Sequence, residues 1–444
     1  MSPFDLTPED HQRAAAHFNL ARAAASEVIG LPANTSTRPV QSVAIIGAGT
    51  MGTGIAMSLA NVGIAACLYE ADAAALQRGL ARVQDTYNAS VARGKLEPED
   101  VAQRLALITS TLKIQDLTPA DLFIEAVFED LPLKQRLFAQ IDAVAKPGAI
   151  LATNTSGLDI NAIASATQRP QDVIGAHFFS PAHVMRLLEV VRADATAPDV
   201  IATLMALGPR IGKSAVLARV YPGFIGNALF RQSHREAHFL VEDGALAHEV
   251  DAALTGIGYA MGVFAVQDLA GTDVGYQTRK AQVATRAPDR RWSDLILKLV
   301  EMGRNGQKSG AGWYRYEAGH RKPLRDAVVE DFIVAESASL GIERRPINVD
   351  EILERCVYGM VNEGARLLEK GIAQRASDID LIMLTGYGFP AAQGGPMFMA
   401  DRIGLPAVAA TVQSLHAKHG AWWEPAPLLL ELARNGGSFA AWRR

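Results

Sequence analysis

The sequence predicts an α/β fold: a doubly wound, mostly parallel sheet followed by an all-α region of two tandem related helical units. Three observations carry this. From about residue 41, short, near-continuous apolar runs alternate with helical segments, as strands covered on both faces do. Past "YPGF" (221–224) the strand signal stops and the remainder reads as helical. Within that remainder, "EAHFLVEDGALAHEVDAALTGIGYAMG" (236–262) is repeated as "EGARLLEKGIAQRASDIDLIMLTGYGFP" (363–390), with Glu236 and Gly244 matching Glu363 and Gly371 at one offset of 127.

The elements follow in order. Residues 7–30 read as a helix, with Thr7 as N-cap, Pro8 at its first position and Gly30 at its end. "LPANTSTRP" (31–39) is a linker. Strands are expected at "SVAIIG", "IAACLYE", "DLFIEAVF", "AILATN", "DVIGAHFF", "LLEVVRA" and "SAVLAR", with a two-helix insertion over 72–107, around "RGKLEPED", between the second strand and "ITSTL". The expected domains are 1–40, helix and linker; 41–219, the sheet; 220–323, the first helical domain; and 324–444, the second.

At 444 residues the chain needs more than one core. With 49% hydrophobic and 20% charged residues it belongs with globular rather than disordered chains. A net charge of −4 argues against a nucleic-acid partner. No apolar run is long enough to span a bilayer, the first residues lack a secretory apolar stretch, and two cysteines make no disulfide framework. No membrane association is expected, and the expected compartment is the cytoplasm.

"VAIIGAGTMGTGIA" (43–56) holds Gly47-x-Gly49-x-x-Gly52 directly after an apolar strand and at the start of a helix, the context in which this spacing signifies a dinucleotide site. Gly47 makes the tight turn, Gly49 lets the backbone approach a pyrophosphate, and Gly52 lets the helix pack on the strand. Thr50 and Met51 lie between them, where the helix N-terminus offers N–H groups to phosphate. Glu70 ends the second strand eighteen residues after Gly52, placed for ribose hydroxyls. No arginine follows it, so the cofactor of this Rossmann domain is expected to be NAD rather than NADP.

A nicotinamide reaction needs a group that moves a proton near neutrality, and imidazole is the usual one. His177, in "GAHFFSPAHVMRLLEVV", falls at the C-terminal end of an expected strand, the edge where ligands bind in doubly wound sheets. Glu189 falls on the adjacent expected strand, where a carboxylate could hold one ring nitrogen. The bland reading is a core histidine and an unrelated carboxylate; it leaves their common place on this rim unexplained.

Together, "GAGTMGTGIA", "IEAVFED", "NTSGLDI", "HFFSPAHVMRLLEVV" and "YPGFIGN" resemble the L-3-hydroxyacyl-CoA dehydrogenase family from about residue 41 to the C-terminus. The form they are most similar to is the dehydrogenase part of the bacterial multifunctional fatty-acid β-oxidation enzyme, without its enoyl-CoA hydratase domain. The resemblance implies reversible NAD-dependent oxidation of an L-3-hydroxyacyl-CoA, with His177 and Glu189 as the catalytic pair. It implies that Ser156 and Asn227 hydrogen-bond the reacting oxygen and the substrate, and that Glu129, Lys134 and Asn154 line the cofactor side. Partners would be the acyl-CoA substrate, with hydratase and thiolase on other chains. The internal helical repeat suggests a monomer, with a weak dimer still open. Gly157 departs from the Ser or Thr of many relatives.

Other readings stay beside this one: a dehydrogenase of another β-hydroxy acid, or a non-catalytic NAD-binding protein. The lysine-based β-hydroxy acid enzymes are disfavoured by the His–Glu pair. Arg93 and Lys95, in the turn of the insertion, could meet the phosphates of coenzyme A or form a solvated basic turn. His234 and His238, one helical turn apart, read as solvated or packed, with no metal expected. His183 reads as a loop residue, and "GRNGQKSGAGWYRY" as a structural connection lacking a P-loop ending.

Overall fold

The strands are β1 (Ser42–Ile46), β2 (Ala65–Tyr69), β3 (Ile108–Thr111), β4 (Leu122–Glu125), β5 (Ile150–Thr153), β6 (Val173–Phe178), β7 (Leu187–Arg192) and β8 (Ser214–Arg219), and all but the mostly polar β3 coincide with the expected apolar runs. In this computed structural model, which describes residues 2–32 and 34–444, they form one sheet in the order β3-β2-β1-β4-β5-β6-β7-β8. Met1 and Ala33, the latter in the linker read at 31–39, lie outside the described residues. The order reverses at β1, the switch point of a doubly wound sheet. β4, β5 and β6 are buried at every position because helices cover both faces, which is why they read as unbroken apolar runs.

All neighbouring strands run parallel except β6 and β7. The segment 179–186 joining them is too short for a crossover helix, so the chain turns back. The insertion after β2 is the expected helix pair, Ala73–Ala92 capped by Asp72 and Pro98–Ala106 with proline in its first turn.

Two compact units make up the chain. One comprises Asn19–Asn227 and Lys370–Tyr387, the other Met1–Phe18, Ala228–Glu369 and Gly388–Arg444. The expected cuts at 219/220 and 323/324 therefore do not coincide with these units. Helix Ala376–Gly386 of the second helical copy packs on β7 and β8, and Ala218 of β8 bridges to Ala373. Leu187 lies against Gly386 so closely that a Cβ there would sit 2.4 Å from Leu187 Cδ2.

In the other unit, helices Gly226–Asp243 and Val349–Glu369 carry the two halves of the repeat. Arg355, fully buried, reaches Glu236 at 3.0 Å and Asp243 at 2.7 Å, while Arg291 closes on Glu242 and Asp243. Buried charges persist only when paired in this way. The glycine-rich connection turns around Asp268, whose carboxylate accepts the N–H groups of Trp313 and Tyr314, so it is structural. His234 and His238 pack rather than face solvent: His238 is buried against Phe264 and Trp313 and bonded to Gln267, and His234 meets Phe230 edge-on. Among the described residues, no helix is long and apolar enough to cross a membrane, and no group of three or more His, Cys, Asp or Glu side chains forms a metal site.

Candidate active site

The glycine turn is built by contacts that exclude side chains. Gly47 has φ of +106°, and a Cβ there would lie 2.8 Å from the Ala126 carbonyl oxygen. A Cβ at Gly52 would fall 1.8 Å from the Gly47 oxygen, whereas one at Gly49 would meet nothing within 4 Å. Two glycines are thus needed for packing, and the third leaves space over the turn for a ligand. Helix Thr50–Ala60 starts there with no acidic residue in its first turn and no side chain capping its N–H groups. Thr50 is exposed and Met51 packs partly on the core. Glu70 closes the turn from the end of β2, accepting from Ala48 N at 3.1 Å. Open space above Gly49, a free helix N-terminus and a carboxylate at the next strand end fit a dinucleotide pyrophosphate and ribose.

At the end of β4, Glu125 is fully buried and paired with the equally buried Lys134 at 2.6 Å. Its second oxygen accepts from Thr153 Oγ1, and Val127 N donates to the first. Lys134 also lies 3.5 Å from Glu129, whose Oε1 accepts from Thr155 Oγ1, Ser156 N and Ser156 Oγ. Asn154 holds β6 in place, its side-chain oxygen accepting from Phe178 N at 2.8 Å. Ser156, Glu129 and Lys134 thus form one polar chain anchored by Glu125. Sequence reading passed over Glu125; its signal was a carboxylate ending an apolar strand nine residues before a lysine.

His177 and Glu189 are register partners across the antiparallel β6–β7 pair, so both side chains leave the same face. His177 Nδ1 is 2.8 Å from Glu189 Oε2, and both residues are buried. Glu189 Oε1 accepts the backbone N–H groups of Ile225 and Gly226 at 3.1 and 3.0 Å. The turn that aims them contains Phe224 at φ of +52°, an uncommon conformation for a side chain of this size, with its ring buried 5.8 Å from His177. The carboxylate therefore has one free course, towards the imidazole. With Nδ1 held, Nε2 is the ring nitrogen left for other chemistry.

Asn227 follows directly on this turn. Its Nδ2 donates to the Ser156 carbonyl at 3.0 Å, linking the polar chain at β4 and β5 to the His–Glu pair. The loop after His177, containing the cis Ser180–Pro181 bond, is held by Lys213, which donates to the carbonyls of Ala182 and Met185 at 2.6 Å each. Burial pushes the Lys213 ammonium down to about 8. His183 in that loop is lowered by burial and then by the Lys213 charge. Arg93 and Lys95 are exposed in the turn of the helical insertion and take no part in this network of bonds.

The family model described as "3-hydroxyacyl-CoA dehydrogenase, NAD binding domain" matches residues 42–220, and that family's C-terminal domain matches 223–316 and 352–438. The chain belongs to the 3-hydroxyacyl-CoA dehydrogenase family. It is an NAD-dependent dehydrogenase, with the cofactor-binding domain formed by the sheet. It is 41% identical over 428 residues to the peroxisomal bifunctional enzyme of Danio rerio, covering 92% of this chain but 58% of that protein. Solved structures of similar fold include 3-hydroxybutyryl-CoA dehydrogenase from Escherichia coli, with TM-score 0.77 and 29% identity over 90% of this chain and 99% of that one. The dehydrogenase part of multifunctional enzyme 1 from C. elegans has TM-score 0.69 and 28% identity, covering 94% of this chain and 96% of that one.

Proposed function

We propose that the chain interconverts L-3-hydroxyacyl-CoA and 3-ketoacyl-CoA, with His177 as the acid–base group and Glu189 as its positioning partner. The observation that carries this is the buried 2.8 Å contact between His177 Nδ1 and Glu189 Oε2 on the ligand-binding edge of an NAD-binding sheet. Bound NAD supplies the two-electron oxidant. His177 Nε2 takes the proton of the 3-hydroxyl, and Glu189 holds the proton on Nδ1 and stabilises the imidazolium. In the reverse direction the same nitrogen returns the proton to the ketone oxygen.

Ser156 Oγ donates a hydrogen bond to Glu129 Oε1, and Asn227 has one Nδ2 hydrogen left after bonding the Ser156 carbonyl. The Asn227 N–H is left for the reacting oxygen, and Ser156 Oγ serves that oxygen by turning its proton away from Glu129. The name of the Escherichia coli relative, a 3-hydroxybutyryl-CoA dehydrogenase, supports a CoA thioester as substrate, and that of an Arabidopsis thaliana relative 34% identical over 436 residues, a peroxisomal fatty acid beta-oxidation multifunctional protein, supports a place in fatty-acid β-oxidation. The test is oxidation of NADH by the purified chain with acetoacetyl-CoA. Turnover is expected; an inert chain that still binds NADH would leave the non-catalytic reading.

A further inference from the structure

We propose that Tyr387, from the second helical copy, is a positioning residue of the active site, fixing the side-chain amide of Asn227. This rests on the proposed function, in which Asn227 meets the substrate. Tyr387 OH donates to Asn227 Oδ1 at 2.9 Å, and the same amide donates from Nδ2 to the Ser156 carbonyl at 3.0 Å. With its oxygen held by a hydroxyl and its nitrogen by a carbonyl, the amide has one orientation, and its remaining N–H points along one course. Without Tyr387, only the bond to Ser156 sets it.

The ring is placed as tightly as the hydroxyl. A Cβ at Gly226 would lie 2.3 Å from Tyr387 Cε2 and 2.5 Å from its OH, so the ring rests on the peptide whose N–H binds Glu189. The ring also meets Phe179, edge-on at 5.3 Å, and Phe179 stands 4.3 Å from the His177 ring. Tyr387 sits where helix Ala376–Gly386 ends against the sheet, in the same compact unit as His177, Glu189 and Asn227. The repeat shares a tyrosine but not the amide. Near its end the second copy is longer, and both copies carry a Gly-Tyr there, Tyr387 in "TGYG" and Tyr259 in "IGYA", whereas by the offset of 127 Asn227 corresponds to Glu354. Only the first copy has the amide, and the tyrosine of the second supplies the hydroxyl that aims it.

Tyr387→Phe keeps both ring contacts and removes the hydroxyl that bonds Asn227. It is expected to lower kcat/KM for acetoacetyl-CoA by about 2- to 10-fold, the range for one net hydrogen bond, with NADH affinity and melting temperature unchanged. The deciding readout is a double-mutant cycle. In an Asn227→Ala background, Tyr387→Phe should cost nothing further, because the group it aims is gone. An equal loss in both backgrounds, or no loss in the first, overturns the proposal while leaving the dehydrogenase reading intact. A wild-type chain that fails to reduce acetoacetyl-CoA overturns both.

Discussion

Replacing Glu189 by Gln keeps the shape of the side chain and changes which atoms can accept. In the native site one oxygen accepts two backbone N–H groups, from Ile225 and Gly226, and the other faces His177 Nδ1. A glutamine has one acceptor. Setting its NH2 group against the two backbone donors would leave them unpaired in a buried site, at about 1–3 kcal/mol each. The amide oxygen therefore stays on the backbone, and the NH2 group faces His177, which must now accept at Nδ1. The ring proton is then on Nε2, the nitrogen that has to take the substrate's proton. Reaching the working tautomer means losing both backbone bonds, which corresponds to a fall in kcat of about 10²–10⁴-fold. The equivalent change behind the histidine of serine proteases costs about 10⁴-fold. Steady-state reduction of acetoacetyl-CoA, with NADH binding by fluorescence titration as control, measures it. A variant that folds, binds NADH and keeps kcat within about threefold of wild type would refute the tautomer argument.

Three further outcomes follow from named residues. Glu70→Ala combined with Ala71→Arg should raise the preference for NADP over NAD by about tenfold or more, since a carboxylate at the strand end is exchanged for a cation; wild-type preference for NADP would contradict this. Burial, reinforced by Arg279, lowers the His238 imidazole to about 4, against 6.5 in the unfolded chain. The unfolded state therefore binds more protons between those values, and stability falls as pH drops from 6.5 towards 4. His238→Gln should remove about 2–3 kcal/mol of the loss between pH 7 and 4.5 in urea titrations, and equal losses in both proteins would exclude His238 as its source. Deleting residues 345–444 strips helix Ala376–Gly386 from β7 and β8 and the partner from Glu236, so insoluble or self-associating protein is expected; a soluble, fully active monomer by light scattering would contradict it.

Much of this was legible because the signals were local. Seven of the eight strands were marked by apolar runs between turn residues, the mostly polar β3 being the exception, and the glycine spacing by the steric limits at Gly47 and Gly52. The contact between His177 and Glu189 could be anticipated because both fall on adjacent strand segments at one sheet edge, although the antiparallel turn that makes them register partners was not read. Glu125 and Lys213 were missed because each looks like an ordinary residue at a strand terminus; only burial and their partners distinguish them. Tyr387 lay beyond reach, since its bond to Asn227 spans 160 positions and has no counterpart in the first copy. The compact units were equally hidden, because Lys370–Tyr387 joins the sheet by packing that leaves no periodic mark. Location was not legible either: cytoplasm was expected from missing address signals, whereas the Danio rerio relative is named as peroxisomal.

The central claim is that His177 moves the proton, and its most direct test is the kcat of His177→Ala with acetoacetyl-CoA and NADH at saturation. The account predicts a fall of about 10²–10⁴-fold with the dissociation constant for NADH unchanged, because the ring lies on β6 and not in the glycine turn. A kcat equal to that of wild type would remove His177 from the mechanism.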